Sequence, residues 1–450
     1  MPTCDCLGNP VTLRQTGSLP ALNDFVEGFI SSEARAVNVL AAAQHDDSTI
    51  VQACAAALYM FAETRAAPAQ AMPHAQRALA TSGAATPREA RFALAVAAWV
   101  AGDIPRAIAL HEEQAREHPR DLASLKLGQY HLFNRGDSPG MLRLALAALP
   151  HAGDVPYLHG MLAFAWEQCH FLPQAEAAAR HAIGLRRKEP WAHHALAHVM
   201  LTQGRVREGI AFLREMSETW TDLNSFMVTH NWWHLALFEL ELDHHDEALR
   251  LYDDEIWGVA KDYSQDQVNA ISLLARLELA GCDVGDRWHD VARHVAARGA
   301  DHVLPFLDLQ YLYALARAER DDADTLLASL QAHAAWVAPS DRALWIDTCQ
   351  PAARGLLAHA RGDTDGCVLH LGAALPRLVE VGGSHAQRDL FAQLHLDALI
   401  RSGHLAGAQN LLQPQLAAHP ESVRLQRQAA QLYRLLGLGE SLAGSGGACP

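Results

Sequence analysis

The sequence predicts an all-α protein built of stacked helix–turn–helix repeats, on three observations. Turn residues at Gly102-Asp103, Gly136-Asp137, His170-Phe171 and Gly204-Arg205 recur every 34 residues, each between two runs of helical apolar spacing. Small residues sit where two helices of one unit must approach closely. No segment sustains the period-2 alternation of a strand. A 34-residue helix–turn–helix period is that of a tetratricopeptide-like α-solenoid.

The elements follow in order. Residues 1–20 form an N-terminal extension. Its Cys4 and Cys6 make a CxC pair on an end expected to fray, and its Asp, Pro and Arg stand where a signal peptide needs an apolar run. Residues 21–436 form a single continuous helical-repeat domain. The first clear unit places Ala95, Ala107 and Pro119 at positions 8, 20 and 32 of the repeat. The unit two periods on gives Ala163, Ala175 and Ala182, and its successor Ala197 with Gly209 at position 20. Each small residue lets two helices approach, and each unit then covers the next. Ala236 and Ala248 continue the pattern 39 residues after Ala197, beyond which the register weakens past about residue 255. The last stretch, 437–450, rich in Gly, Ser and Ala, reads as a flexible tail.

Composition narrows the function. Among 450 residues, 36 Lys+Arg oppose 51 Asp+Glu, a formal charge of −15, with no basic block to displace phosphate counterions. Nucleic acid and membrane are therefore excluded as partners, and no apolar stretch reaches the length of a transmembrane helix. The 8 scattered cysteines read as reduced thiols of a cytoplasmic protein. Neither a Walker A, a GxGxxG after a strand, a GxSxG elbow nor a kinase motif set is present.

The 26 histidines are the compositional anomaly. His194/His198 and His230/His234 are i,i+4 pairs, each on one helix face. In the repeat register, groove-facing positions of neighbouring helices select Glu167, His194, His198, His230 and Trp233, with Asn231 and His234 adjacent. Three readings stay open: hydrogen-bonded interior groups, the polar lining of a pocket, or metal ligands (His194, His198 and His230 above all). No HExxH is formed, so no cofactor follows from a motif. A second set of candidates comprises Asp283, Asp286 and Arg287 in a Gly/Asp turn, Asp308, and Ser384, His385, Arg388 and Asp389 after a double glycine. For the turn and the double glycine, helix capping by Asp283 or Asp286 and by Ser384 is the simpler role, while glycine N–H groups leading into a helix can hold an anion.

Trp191–His198 (WAHHALAH), Gly204–Ile210 (GRVREGI), His230–Phe238 (HNWWHLALF), Leu251-Tyr252-Asp253, Gly281–Trp288 (GCDVGDRW) and Gly383–Asp389 (GSHAQRD), in this order, resemble the tetratricopeptide repeat protein 38 family. The resemblance implies an α-helical repeat protein in the cytoplasm and no particular reaction. Where it leads one to expect Asp-Leu-His, the chain has Asp308-Leu309-Gln310. The expectation is a repeat protein binding a peptide or small molecule in a concave groove lined by His and Trp. The alternative is an enzyme or metal-dependent protein using the same histidines, and whether the chain is an enzyme stays open.

Overall fold

A computed structural model describes residues 3–438, so most of the 437–450 tail lies outside the described residues. The architecture is all-α: tetratricopeptide-like helical hairpins follow one another, and among the described residues only isolated bridges, Cys4 with Pro10 and Glu33 with Leu223, depart from helix and turn. The 34-residue turns have a backbone cause. Gly102, Gly136, His170 and Gly204 all adopt left-handed φ, of 79°, 71°, 60° and 68°. That is the conformation that ends a helix and reverses the chain. Each turn joins two helices, for example Pro87–Val100 with Ile104–Glu117, and Pro156–Gln168 with Leu172–Leu185. Asp103, Asp137 and Asp363 cap the second helix of their hairpins by accepting backbone N–H bonds.

Contacts divide the chain into two compact units. The first holds 1–199 and 216–231, the second 200–215 and 232–450. In the first unit the N-terminal segment is pinned, contrary to the expected fraying. Arg120 Nε donates to Leu7 O at 3.0 Å, Thr12 N to Glu89 Oε1 at 2.8 Å, and Asn9 Nδ2 to Arg120 O at 3.2 Å. Burial pushes the Cys6 thiol up to about 11, against the thiolate that metal binding needs.

In the second unit, left-handed turns at Asp243, Gly281, Glu319, Gly362 and Gly403 carry the hairpin pattern onward at wider spacing. Single π-turns at Tyr252–Ile256 and Leu344–Cys349 insert extra residues. The final helix, Val423–Leu435, returns to the start of this unit. Arg424 pairs with Glu241 at 2.8 Å and Arg427 with Asp243 at 2.9 Å.

Small residues set the hairpin spacing. A Cβ on Gly355, in helix Gln350–Ala360, would lie 2.5 Å from the backbone nitrogen of Leu371 and 2.8 Å from its Cα. Backbone cannot swing aside, so Gly355→Ala is expected to cost about 2 kcal/mol despite alanine's better helix propensity. Denaturant unfolding of the full chain checks this, and an unchanged midpoint would show that the hairpin has slack.

Candidate functional site

Helix Pro190–Thr202 carries His193, His194 and His198, and helix Ser225–Glu241 carries His230 and His234. Both are apolar nearly all round, which is the pattern of interior helices. His194, His198, His230 and His234 are 2%, 1%, 2% and 0% exposed. The sequence placed these side chains on a groove; the fold encloses them. Within the first unit, one nitrogen from each of His194, His198 and His230 can be chosen so that all three lie within 4.8 Å of one another.

The details differ by residue. His194 and His198 face each other through Nε2, 3.0 Å apart. The other nitrogen of His198, Nδ1, lies 3.7 Å from Glu167 Oε2, and that oxygen accepts a hydrogen bond from Gln168 Nε2 at 2.6 Å. The His230 ring lies 4.9 Å from that of His194, and His234 follows one helical turn after His230. Burial holds the His194 imidazole well below its ordinary range, helped by His198 and His230, so it stays neutral. A neutral imidazole is the ligand form that soft and borderline metals take.

Aromatic rings wall the group. Phe164 stands 5.0 Å from His194 and 5.7 Å from His198, Trp191 4.9 Å from His194, and Phe226 5.1 Å from His230. Lys126 Nζ lies over Trp191 at 5.0 Å, and burial lowers its ammonium to about 8. Asn231 is fully buried, and neither atom of its amide has a hydrogen-bond partner. Trp233 is fully buried 5.5 Å from Arg276.

His193, which sequence cannot separate from its neighbours, has a structural role. Its Nδ1 accepts from Trp220 Nε1 at 3.1 Å, which leaves the proton on Nε2 to be donated to Arg187 O at 2.8 Å. Two more residues position the site: Glu189, which sequence reasoning missed, and Gly160, which the repeat register places among the groove positions. Glu189 is fully buried, and its Oε2 accepts the Ala192 N–H in the first turn of the histidine helix. Gly160 leaves room for that carboxylate, because a Cβ there would stand 2.5 Å from Oε2. The contact between Gly160 and Glu189 has no sequence signal, since the two are distant in the chain.

The second set of candidates falls into separate local settings. Helix Arg287–Val295 begins where expected, yet Asp286 makes no side-chain cap; Asp283 accepts from Gly285 N at 2.9 Å instead. Arg287 reaches Asp253 at 2.6 Å, one repeat away. Ser384 caps helix His385–Arg401 in a capping box with Gln387. Arg388 donates to Gly382 O at 3.4 Å and to Gly383 O, turning its charge back on the double-glycine carbonyls. Asp389 is exposed and accepts from Gln393 at 2.5 Å. Asp308 is buried, with its carboxylate 2.9 Å from His302 Nδ1.

No family model matches the chain. Among solved structures, the chain is similar to a human IFIT1 dimer with PPP-AAAA, at 11% identity over 98% of this chain and 94% of that one, with a TM-score of 0.44. It is also similar to Naa15/Naa10 bound to HypK-THB, at 12% identity over 95% of this chain and 67% of that one, with a TM-score of 0.26. No helix among the described residues is long and apolar enough to cross a membrane.

Proposed function

We propose that the chain is a metal-binding helical-repeat protein, with a divalent transition metal held by His194, His198 and His230. The observation that carries this reading is that three buried imidazole nitrogens of one unit lie within 4.8 Å of one another. Ligand nitrogens about 2.1 Å from a tetrahedral metal stand about 3.4 Å apart. Only small side-chain rotations separate the two arrangements. Glu167 supports the reading from behind. His198 points Nε2 into the group and Nδ1 toward a buried carboxylate, the second contact that fixes a metal-bound imidazole in orientation and tautomer. Bound there, the ion would supply Lewis-acid chemistry. Glu167 would orient His198, and Phe164 and Trp191 would exclude water.

A second reading has its own observation. The unpartnered, fully buried Asn231 amide, next to His230 in sequence, suits a small molecule or peptide end group that satisfies both amide atoms. Such a ligand would share the site rather than replace the metal. The acidic balance and high-pKa thiols favour a cytoplasmic protein without nucleic-acid partners, consistent with the resemblance to the tetratricopeptide repeat protein 38 family.

Elemental analysis of the purified, untagged chain tests the first reading. We expect near-stoichiometric zinc, iron, nickel or copper, lost from the His198→Ala/His230→Ala variant. A metal-free chain that also fails to take up added zinc or nickel would refute it.

A further inference from the structure

We propose that the second unit carries an independent nucleophilic site, Ser329 activated by His302 and oriented by Asp308, that accepts the acyl group of a small ester. His302 Nδ1 lies 2.9 Å from Asp308 Oδ2, and its Nε2 lies 2.7 Å from Ser329 Oγ. The carboxylate fixes the tautomer: Nδ1 carries the proton and donates it to Asp308, so Nε2 presents a lone pair to the Ser329 hydroxyl. A hydroxyl, an imidazole and a buried carboxylate in this order meet the geometric requirement for an activated serine, whatever fold carries them.

Three further observations set this relay apart from an ordinary polar staple. His302 holds a left-handed backbone, φ 45°, at a non-glycine residue, a strained conformation that its two side-chain bonds help maintain. Asp308 is 1% exposed, whereas Ser329 is only partly buried, so the acid end is sealed and the nucleophile end is open. The His302 ring is also packed by two further rings, stacked on His333 at 4.8 Å and met edge-on by Trp345 at 6.3 Å, which themselves touch at 4.6 Å. His333 follows Ser329 by one turn on helix Asp322–His333, which puts an imidazole on the same helix face as the hydroxyl to receive developing negative charge. Trp345 makes that wall apolar, favouring an uncharged acyl chain.

The step balances as an ester hydrolysis. Ser329 Oγ bonds to the acyl carbon while its proton passes to His302 Nε2. That proton leaves with the departing alcohol as the ester C–O bond breaks. Water then attacks the acyl-serine, giving one proton through Nε2 back to Ser329 Oγ and releasing the carboxylic acid. Asp308 stays in place as the partner of Nδ1 throughout.

The full chain treated with a fluorophosphonate probe, followed by peptide mass spectrometry, tests this, with p-nitrophenyl butyrate as the turnover probe. We expect modification at Ser329, no modification in Ser329→Ala, and labelling at least about 100-fold slower in His302→Gln, the size of a general-base contribution. Ser329→Ala should keep the thermal midpoint of the parent, which separates loss of the nucleophile from loss of the fold. Absence of label at Ser329 in a folded chain would overturn the proposal. So would equal labelling rates in the parent and a folded His302→Gln variant. Metal content plays no part in this readout, so the outcome is independent of the histidine-cluster reading.

Discussion

Between pH 7 and pH 5 the protein is expected to lose most of its stability, because its interior holds imidazoles that cannot take up protons. Burial lowers His111 to about 3 and His193 to about 4, and holds His131 and His194 well below their ordinary value near 6.5. In the unfolded chain each takes a proton below about 6.5, and in the folded chain each stays neutral. Acid therefore favours unfolding. The stability is complete above about pH 6.5 and is lost as the pH falls toward the folded values. Each such histidine costs about 1.4 kcal/mol per pH unit over that window. Glu189 acts the other way. Burial raises it to about 8, so its folded form keeps a proton that the unfolded chain releases above about 4.5. One opposing group against four leaves a loss of about 4 kcal/mol per pH unit, enough to exhaust a typical domain within two units. Thermal melting at half-unit steps from pH 5 to 8 measures the slope. His131 is the informative substitution, since it lies outside the metal candidates and its ring stacks on His111 at 5.7 Å. His131→Phe should flatten the pH dependence by the share of one or two histidines. A melting temperature constant from pH 5 to 7 would contradict the buried-neutral assignment.

What the sequence conveyed and what it hid follow one physical division. Patterns local to one helix or hairpin were legible. The 34-residue register is a repeating left-handed turn, and where glycine fills that turn, as at Gly102, Gly136 and Gly204, the residue announces it. Beyond Gly204 the turn alternates between Asp243 and Glu319 and the glycines Gly281, Gly362 and Gly403, and the π-turns at Tyr252–Ile256 and Leu344–Cys349 lengthen the units. The period was thus lost to reading while the hairpins continued. The histidine pairs were legible because i,i+4 spacing fixes a shared face without any knowledge of the neighbour. Burial was not. Positions assigned to an open groove are 0–2% exposed, because both helices are covered on all sides. Of the relay of His302, Ser329 and Asp308, only Asp308 was marked in the sequence. Its histidine lies in a turn and its serine in the middle of a helix, 27 residues away, and only contact joins them.

Replacing Glu189 by Gln is expected to stabilise the protein at pH 7, although it removes a buried carboxyl next to the proposed metal site. At that pH the unfolded chain holds residue 189 ionised, while the folded chain must keep it protonated. Holding that proton 2.5 pH units above its unfolded value costs about 3 kcal/mol, which an amide, neutral in both states, avoids. The amide oxygen can still accept the Ala192 N–H that Oε2 accepts now, and Glu189 Oε1 has no hydrogen-bond partner to lose. The gain should shrink as the pH falls and vanish near 4.5. Gly160→Ala probes the same contact with the opposite sign. The new Cβ, 2.5 Å from Oε2 and 3.0 Å from Cδ, drives the carboxyl away, leaves the Ala192 N–H unpaired and displaces the first turn of the helix that carries His194 and His198. Overpacking and a lost buried hydrogen bond together cost about 2–4 kcal/mol after the small gain in helix propensity. Under the metal reading, Glu189→Gln should retain the ion and Gly160→Ala should lose part of it. Urea unfolding with elemental analysis on the same preparations reads both effects. If Glu189→Gln destabilised the chain at pH 7, Glu189 would be an ionised partner of Lys126 in the folded state, and the helix start would be held by charge rather than by shape.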